Sequence, residues 1–216
     1  MKKRLVTGLG TLLLLAAFFV PALGAPQEFN FVDENRDPWL KFDLQEGMEC
    51  LPSPLEEPAA VPEGLEALYQ WMQPAQKGGE TWFVRMPHGR VLGSISRREM
   101  GVNLRAEEML GLWPHIVTTL AKTTEFVDDK PDNVSILDLG GASWLHIQTK
   151  AALDGEKMLS VMVDGLANCD KGILVEVWLV SPADATYRYD DQAYTEMQAD
   201  RESAEKWQDS LILPLE

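Results

Sequence analysis

Residues of the kinds that build metal and catalytic centres are scarce in this sequence. Its 216 residues include three histidines and two cysteines. The histidines, His88, His115 and His146, are isolated, and the cysteines, Cys50 and Cys169, are far apart, so no zinc-ligand spacing occurs. A P-loop, a dinucleotide-binding glycine motif and a nucleophile elbow are also lacking. The sequence therefore predicts no metal site, no cofactor and no catalytic residue that a motif could identify.

Positive charge is also in short supply. The chain carries 34 acidic residues against 19 lysines and arginines, which gives a formal net charge of −15 at pH 7. Such a surface repels the phosphates of nucleic acids and the headgroups of anionic membranes. We therefore expect no nucleic-acid partner. Hydrophobic residues make up 45% of the chain, which is enough for a packed core.

Long apolar runs are missing except at the N-terminus. Lys2, Lys3 and Arg4 precede an apolar run over residues 12–20, and Gly24 closes a stretch with small residues. This order is typical of a secretory signal peptide over residues 1–24. An uncleaved membrane anchor over residues 5–23 is the alternative. The sequence thus predicts an exported protein, periplasmic or extracellular, with no stable membrane insertion after cleavage.

Residues 25–80 differ in composition from the rest of the chain. They are acidic and carry proline at short intervals, which blocks the interiors of helices and strands. We expect an irregular extension with a short helix at residues 64–73. Its aromatic residues predict that part of it docks onto the following domain, because disordered segments are poor in aromatics. These residues are Phe29, Phe31, Trp39 and Phe42.

Residues 81–216 carry the periodic patterns of a folded domain. Alternation predicts a hairpin at residues 81–96 and three or four strands at residues 133–182, separated by turn signals such as the glycine pair 140–141. Helical spacing predicts helices around residues 109–120 and from a cap at Asp190 or Asp191 to about residue 211. The predicted fold class is therefore α/β of the α+β type, with an antiparallel sheet flanked by helices.

Four features of these elements stand in a characteristic order: the run of residues 82–101, the helix at 109–120, the turn at 140–142 before Trp144 and Leu145, and the ending at residues 207–211. This order resembles the PsbP-like fold, a group that includes extrinsic subunits of the oxygen-evolving complex and bacterial exported DcrB-type proteins. The resemblance covers about residues 81–213. It implies an α/β/α sandwich and a non-enzymatic accessory or binding role.

Arginines are concentrated in one short stretch of this acidic chain. Arginine binds carboxylates and phosphates through two parallel hydrogen bonds, so the stretch is a candidate edge for an anion or an acidic partner. Ion pairing with neighbouring acids is the alternative. A tryptophan that lies among glutamines is a candidate for an exposed contact. The candidate binding residues are Trp71, Arg85, His88, Arg90, Arg97 and Arg98.

The two cysteines are candidates for a disulfide. An exported chain meets a compartment that permits disulfides, and an even number of cysteines makes pairing the simplest outcome. A bond between Cys50 and Cys169 would hold the extension against the edge of the sheet. Two reduced, separately buried thiols are the alternative.

Two hypotheses for the function follow from these patterns. The first is a non-catalytic accessory or binding protein of the cell envelope, whose partner is an envelope protein or a small acidic ligand. The second is a secreted hydrolase with an unidentified catalytic site. A hydrolase requires a site where a histidine, a carboxylate and a nucleophile converge, whereas a binding protein requires an exposed patch of aromatic residues or arginines.

The N-terminus of the exported protein tests the predicted signal peptide. Cleavage after Gly24 leaves Ala25 as the first residue. N-terminal sequencing should therefore begin at Ala25. An exported protein that still carries residues 12–20 would contradict the prediction and favour the membrane anchor.

Overall fold

The structure is a computed structural model that describes residues 26–33, 36–53, 79–111, 125–126, 133–153 and 159–214. The predicted signal peptide, the short helix at residues 64–73 and residues 112–120 of the predicted central helix lie outside these ranges. The strands are β1 (Gln27–Val32), β2 (Pro38–Leu44), β3 (Glu49–Pro52), β4 (Gly79–Arg85), β5 (Leu92–Glu99), β6 (Glu125–Phe126), β7 (Asn133–Leu139), β8 (Ala142–Leu153), β9 (Leu159–Asp170) and β10 (Ile173–Pro182). The helices are α1 (Ala106–Leu110) and α2 (Asp191–Asp209), with a 3₁₀ helix at Asp184–Tyr187.

Eight strands form one sheet in the order β3-β4-β5-β10-β9-β8-β6, with β7 also paired to β8. Strands β4 and β5 are the hairpin predicted at residues 81–96, and β7 to β10 form the meander predicted at residues 133–182. These pairs are all antiparallel, so the predicted antiparallel sheet is confirmed. In the part of the chain that the structure describes, this sheet dominates over the helices.

Tight turns set the register of the meander. Lys171 and Gly172 connect β9 to β10, with φ angles of 51° and 74°. Gly140 and Gly141 connect β7 to β8, with φ angles of 58° and 82°. Two successive residues with positive φ match the right-handed twist of the flanking strands, which explains the preference for glycine at these turns. These connections fix which side chains face each other across the strands.

Both faces of the sheet contribute to a core. Trp144 and Leu145 are consecutive residues of β8, and both have 0% exposure. Because side chains alternate along a strand, they point to opposite faces. Trp144 belongs to the core that includes Trp207 of α2, and Leu145 belongs to the core that includes Met109 of α1. The helices α1 and α2 therefore lie on opposite faces of the sheet.

Regular structure occurs before residue 81, so the prediction of an irregular extension is wrong in this part of the chain. Strands β1 and β2 pair as a hairpin, and β3 joins the main sheet beside β4. The prolines do not prevent this because they lie at strand ends. Pro38 is the first residue of β2, and Pro52 is the last residue of β3. A proline at the end of a strand or on an edge strand leaves the hydrogen-bonded ladder intact.

The predicted docking of the extension through its aromatic residues is confirmed. The ring centroid of Phe31 lies 4.3 Å from that of Trp82 in β4. The ring centroid of Phe42 lies 6.0 Å from that of Trp207 in α2, with the two rings edge to face. Separations of this size are typical of favourable aromatic pairs. The β1–β2 hairpin therefore covers the same sheet face as α2.

Helix α2 begins with a cap that its sequence predicts. The side chain of Asp190 caps the helix by accepting a hydrogen bond of 3.0 Å from the backbone N–H of Ala193. After the helix, Ile212 and Lys41 of β2 exchange two backbone hydrogen bonds of 2.8 and 2.9 Å. The buried stripe of α2 recurs every three or four residues and consists of Ala193, Met197, Asp200, Ala204 and Trp207.

No helix in the described ranges is long and apolar enough to span a bilayer.

A glycine makes room for the tryptophan of α2. Gly93 lies in β5, and a Cβ atom at this position would stand 3.0 Å from the ring of Trp207 and 3.1 Å from Cβ of Val84. Both separations are shorter than the optimal distance between carbon atoms, about 3.5–4.0 Å. Strand β5 and helix α2 can approach each other this closely because position 93 carries no side chain.

Candidate functional site

The candidate residues of the β4–β5 hairpin do not form a single site. Arg85, His88 and Arg90 lie at or beside the turn between the strands, whereas Arg97 and Arg98 lie towards the other end of β5. Arg97 lies five residues after Leu92, the first residue of β5, so the Cα atoms of these two residues are about 17 Å apart at about 3.3 Å per residue. As consecutive residues of a strand, Arg97 and Arg98 also point to opposite faces of the sheet.

Neighbouring side chains already contact the four arginines. The guanidinium of Arg97 lies over the ring of Trp39, 5.6 Å from its centroid. The other three are paired with glutamates, as the ion-pairing alternative predicts. Trp71, the remaining candidate, lies outside the described residues, and the binding role of this set stays a prediction. The ion pairs are Arg85 with Glu49, Arg90 with Glu196 at 2.8 Å, and Arg98 with Glu176 at 3.4 Å.

A carboxylate of α2 holds the turn between β4 and β5. Asp200 has 0% exposure and accepts backbone N–H hydrogen bonds from His88 at 2.9 Å and from Arg90 at 2.6 Å. Hydrogen bonds of this kind offset the cost of burying a carboxylate. The guanidinium of Arg90 also donates to Glu196 on the same helix, at 2.8 and 3.1 Å. The turn and the helix are therefore fixed to each other at this point.

The predicted disulfide between Cys50 and Cys169 is wrong, because both cysteines are free thiols. Cys50 lies in β3 and Cys169 in β9, four strand spacings apart, which amounts to about 19 Å at about 4.8 Å per spacing. A disulfide requires Cα atoms within about 7 Å of each other. Burial raises the pKa of Cys50 to about 12. The Sγ of Cys169 donates a hydrogen bond to the carbonyl oxygen of Val102 at 3.2 Å. The two cysteines are therefore separate thiols, as in the alternative to the disulfide.

Three polar side chains form a connected row across β7, β8 and β9 on the α2 side of the sheet. The hydroxyl oxygen of Ser135 lies 3.5 Å from Nδ1 of His146, and Nε2 of His146 lies 3.1 Å from Oδ1 of Asp164. Ser135 faces His146 in the register of β7 and β8, and Asp164 of β9 faces Gln148 of β8. The register of the meander therefore brings together a hydroxyl, an imidazole and a carboxylate.

Two glutamines hold the carboxylate of Asp164. Nε2 of Gln148 donates to Oδ2 at 2.7 Å, and Nε2 of Gln208 in α2 donates to Oδ1 at 3.0 Å. Burial acts to raise the pKa of Asp164, but the hydrogen bonds from His146, Gln148 and Gln208 outweigh it, so this pKa lies below its ordinary value. The carboxylate is therefore ionised at neutral pH and orients the imidazole of His146. Within the described ranges, no group of three or more histidine, cysteine or acidic residues could hold a metal ion.

This row lies on a part of the sheet that remains accessible to solvent. Leu137 of β7 and Met162 of β9 are 38% and 42% exposed, and Gln148 is also exposed. The side chains of His146 and Asp164 are partly buried, with 16% and 26% exposure. Alternation along the strands places all these side chains on one face. We call this area the open sheet face, and it consists of Ser135, Leu137, His146, Gln148, Met162 and Asp164.

Sequence reasoning alone does not identify this row. His146 is isolated in the sequence, and Ser135 lies in no nucleophile motif. The one available signal is the alternation that places Trp144, His146 and Gln148 on the same face of β8. The neighbours on β7 and β9 depend on strand pairing, which a single sequence pattern does not reveal.

Comparison of the sequence with models of protein families finds no matching family, and comparison with curated proteins finds no match. Comparison of the structure finds similar solved structures. PsbP from the cyanobacterium Synechocystis sp. PCC 6803 is 12% identical over 86% of this chain and 96% of PsbP, with a TM-score of 0.44. The Ran-binding protein Mog1p from Saccharomyces cerevisiae is 7% identical over 88% of this chain and 96% of Mog1p, with a TM-score of 0.47.

LpqN, a protein involved in cell envelope biogenesis of Mycobacterium tuberculosis, is 15% identical over 90% of this chain and 88% of LpqN, with a TM-score of 0.38. A longer protein from Bacteroides thetaiotaomicron is 10% identical over 88% of this chain, with a TM-score of 0.41, and this chain spans 49% of it. PsbP, whose fold the order of the elements resembles, is among these structures. The similarity concerns the fold and assigns no function.

The contribution of Asp164 to stability should depend on pH. Its folded-state pKa lies below the unfolded value of about 3.9, so the ionised carboxylate stabilises the fold above about pH 4. This stabilisation is lost as the pH falls through the folded-state pKa. Urea unfolding between about pH 6 and about pH 2 should therefore show a steeper loss of the free energy of unfolding in the wild type than in Asp164→Asn.

Glu205→Gln, which removes an exposed carboxylate from α2, is the matched control and should retain the wild-type slope. Equal slopes for the wild type and Asp164→Asn would contradict the proposed contribution of Asp164.

Proposed function

We propose that this protein is an exported accessory or binding protein of the cell envelope, and that its contact surface is the open sheet face. One observation carries the proposal. The face combines exposed apolar side chains, Leu137 and Met162, with oriented polar groups, His146 and Gln148. Exposed apolar area beside a few fixed polar groups is characteristic of interaction sites. Binding at this surface requires no chemical step.

The polar groups of the open sheet face are held in place before any partner arrives. Asp164 accepts hydrogen bonds from His146 and Gln148, and Gln208 of α2 donates to the same carboxylate. Side chains that are already ordered lose little conformational entropy on binding. This arrangement supports recognition of a specific partner.

An envelope protein fits this surface better than the small acidic ligand that the arginines suggest. Arg85, Arg90 and Arg98 are each paired with a glutamate of the same chain, so an acidic ligand would have to displace a carboxylate in order to bind there. The open sheet face offers apolar and neutral polar groups instead, and the carboxylate of Asp164 on this face is already held by His146, Gln148 and Gln208. The centre of a protein–protein interface is depleted in charged residues, which suits such a surface. The partner that we propose is therefore a protein of the envelope.

Export and the complete architecture belong to the same proposal. The basic residues 2–4 and the apolar run at residues 12–20 support a cleaved signal peptide and a periplasmic or extracellular location. The placement of α1 and α2 on opposite faces supports an α/β/α sandwich over residues 81–216. The acidic segment 25–80 precedes this domain, packs against it through the β1–β2 hairpin and adds β3 to the edge of its sheet.

Negative charge on the open sheet face should abolish binding of the partner. In the double variant Leu137→Asp/Met162→Asp, two carboxylates replace the exposed apolar groups and would have to be desolvated at the interface. We expect recovery of a co-purifying envelope protein to fall at least about tenfold, which corresponds to about 1.4 kcal/mol. A quantitative pull-down from envelope extract with the tagged, exported protein measures this change.

Tyr189→Asp is the matched control, because this residue is 92% exposed and lies outside the open sheet face. It should recover the partner like the wild type. Circular dichroism establishes that each variant is folded. Wild-type recovery by the folded double variant would contradict the open sheet face as the contact surface.

A further inference from the structure

The open sheet face holds the three functional groups of a serine hydrolase in contact with one another. We propose that Ser135, His146 and Asp164 form a catalytic triad that hydrolyses carboxylic esters. Ser135 is the nucleophile, His146 is the general base, and Asp164 is a positioning residue. This activity goes beyond the binding role, which needs no chemical step.

The distances join the three groups in the order that the chemistry requires. Oγ of Ser135 lies 3.5 Å from Nδ1 of His146, and Nε2 of His146 lies 3.1 and 3.3 Å from the two carboxylate oxygens of Asp164. A hydroxyl is activated when a base lies within reach and a third group orients that base. In free enzymes these contacts are often longer than in the substrate complex, which suits the distance between Ser135 and His146.

The carboxylate selects the histidine tautomer that this role needs. An ionised Asp164 accepts a hydrogen bond from Nε2–H of a neutral His146, which leaves the lone pair of Nδ1 facing the hydroxyl of Ser135. Gln148 and Gln208 donate to the two carboxylate oxygens at 2.7 and 3.0 Å. These hydrogen bonds keep Asp164 in position while His146 gains and loses a proton.

The surroundings of Ser135 suit a small ester with an apolar chain. Ser135 is partly buried, and Leu137 on the same strand is 38% exposed. Leu137 lies two residues after Ser135 and on the same face, so it offers apolar surface to an acyl or alkyl group beside the nucleophile.

The reaction is balanced in two steps. Oγ of Ser135 bonds to the carbonyl carbon of the ester while its proton moves to Nδ1 of His146. The ester C–O bond breaks, and the alcohol leaves with that proton. Water then attacks the acyl-serine, His146 takes a proton from the water, and Oγ of Ser135 regains a proton as the carboxylic acid leaves. The overall reaction consumes one ester and one water and yields one alcohol and one acid.

Covalent labelling tests the nucleophile directly. A fluorophosphonate loses fluoride to an activated serine and leaves its phosphonyl group on Oγ. Mass spectrometry of the exported protein should show one adduct per chain, and peptide mapping should place it on Ser135. Ser135→Ala should not be labelled. Ser143→Ala, which removes an exposed serine of β8 that donates to Asp138, is the matched control and should be labelled like the wild type. An unlabelled wild type, or an adduct at another residue, would overturn the proposal.

Hydrolysis of p-nitrophenyl butyrate provides a second readout. We expect kcat/KM to fall at least about 100-fold in Ser135→Ala and in His146→Ala. Ser143→Ala, the labelling control, should retain the wild-type value. Asp164→Asn keeps the shape of the side chain but no longer favours a proton on Nε2 of His146, so kcat should fall while KM changes little. Wild-type activity in Ser135→Ala would contradict the triad.

The triad and the contact surface can fail separately. Ser135→Ala removes a single oxygen from the contact surface and leaves its exposed apolar groups, Leu137 and Met162, in place. Partner recovery should therefore fall far less than the tenfold loss expected for Leu137→Asp/Met162→Asp, and loss of ester hydrolysis without that loss of recovery supports the triad. The pull-down with Leu137→Asp/Met162→Asp tests the binding role independently of the triad.

Discussion

The fold depends on the burial of Trp207 of α2 between the main sheet and the N-terminal hairpin. The ring has 0% exposure, lies against Gly93 of β5, and meets Phe42 of β2 edge to face. Burying an aromatic side chain removes about 150–250 Å² from water, worth about 4–6 kcal/mol at about 25 cal/mol per Å². The buried indole N–H has no acceptor among the described residues, which costs about 1–3 kcal/mol. The apolar contribution therefore outweighs the polar cost.

The position of α2 decides which parts of the sheet are closed and which stay accessible. Towards its middle, Asp200 holds the β4–β5 turn through two backbone hydrogen bonds. Towards its C-terminal end, Gln208 donates to Asp164 and so takes part in the site on β7, β8 and β9. A single helix therefore fixes the β4–β5 hairpin through its middle and orients the polar row through its C-terminal end. The function that we propose for the open sheet face depends on the same packing that stabilises the core.

Local signals could predict the strands, because alternation and glycine-containing turns are read over a few residues. The N-terminal hairpin was not predictable from proline content, since composition does not reveal that Pro38 and Pro52 lie at strand ends. The disulfide prediction failed because strand order, a tertiary property, separates the two cysteines. The same limit hides the site: Ser135 and Asp164 reach His146 only through the pairing of three strands.

Native-state amide hydrogen exchange in Trp207→Ala tests the central claim most directly. We expect the free energy of unfolding to fall by about 3–5 kcal/mol and the amides of β2 to lose protection together with those of α2, because both depend on the same ring. Tyr189→Ala, at a residue with 92% exposure, should stay within about 0.5 kcal/mol of the wild type. Wild-type protection of the β2 amides in Trp207→Ala, or a fall below about 1 kcal/mol, would contradict the central role of Trp207.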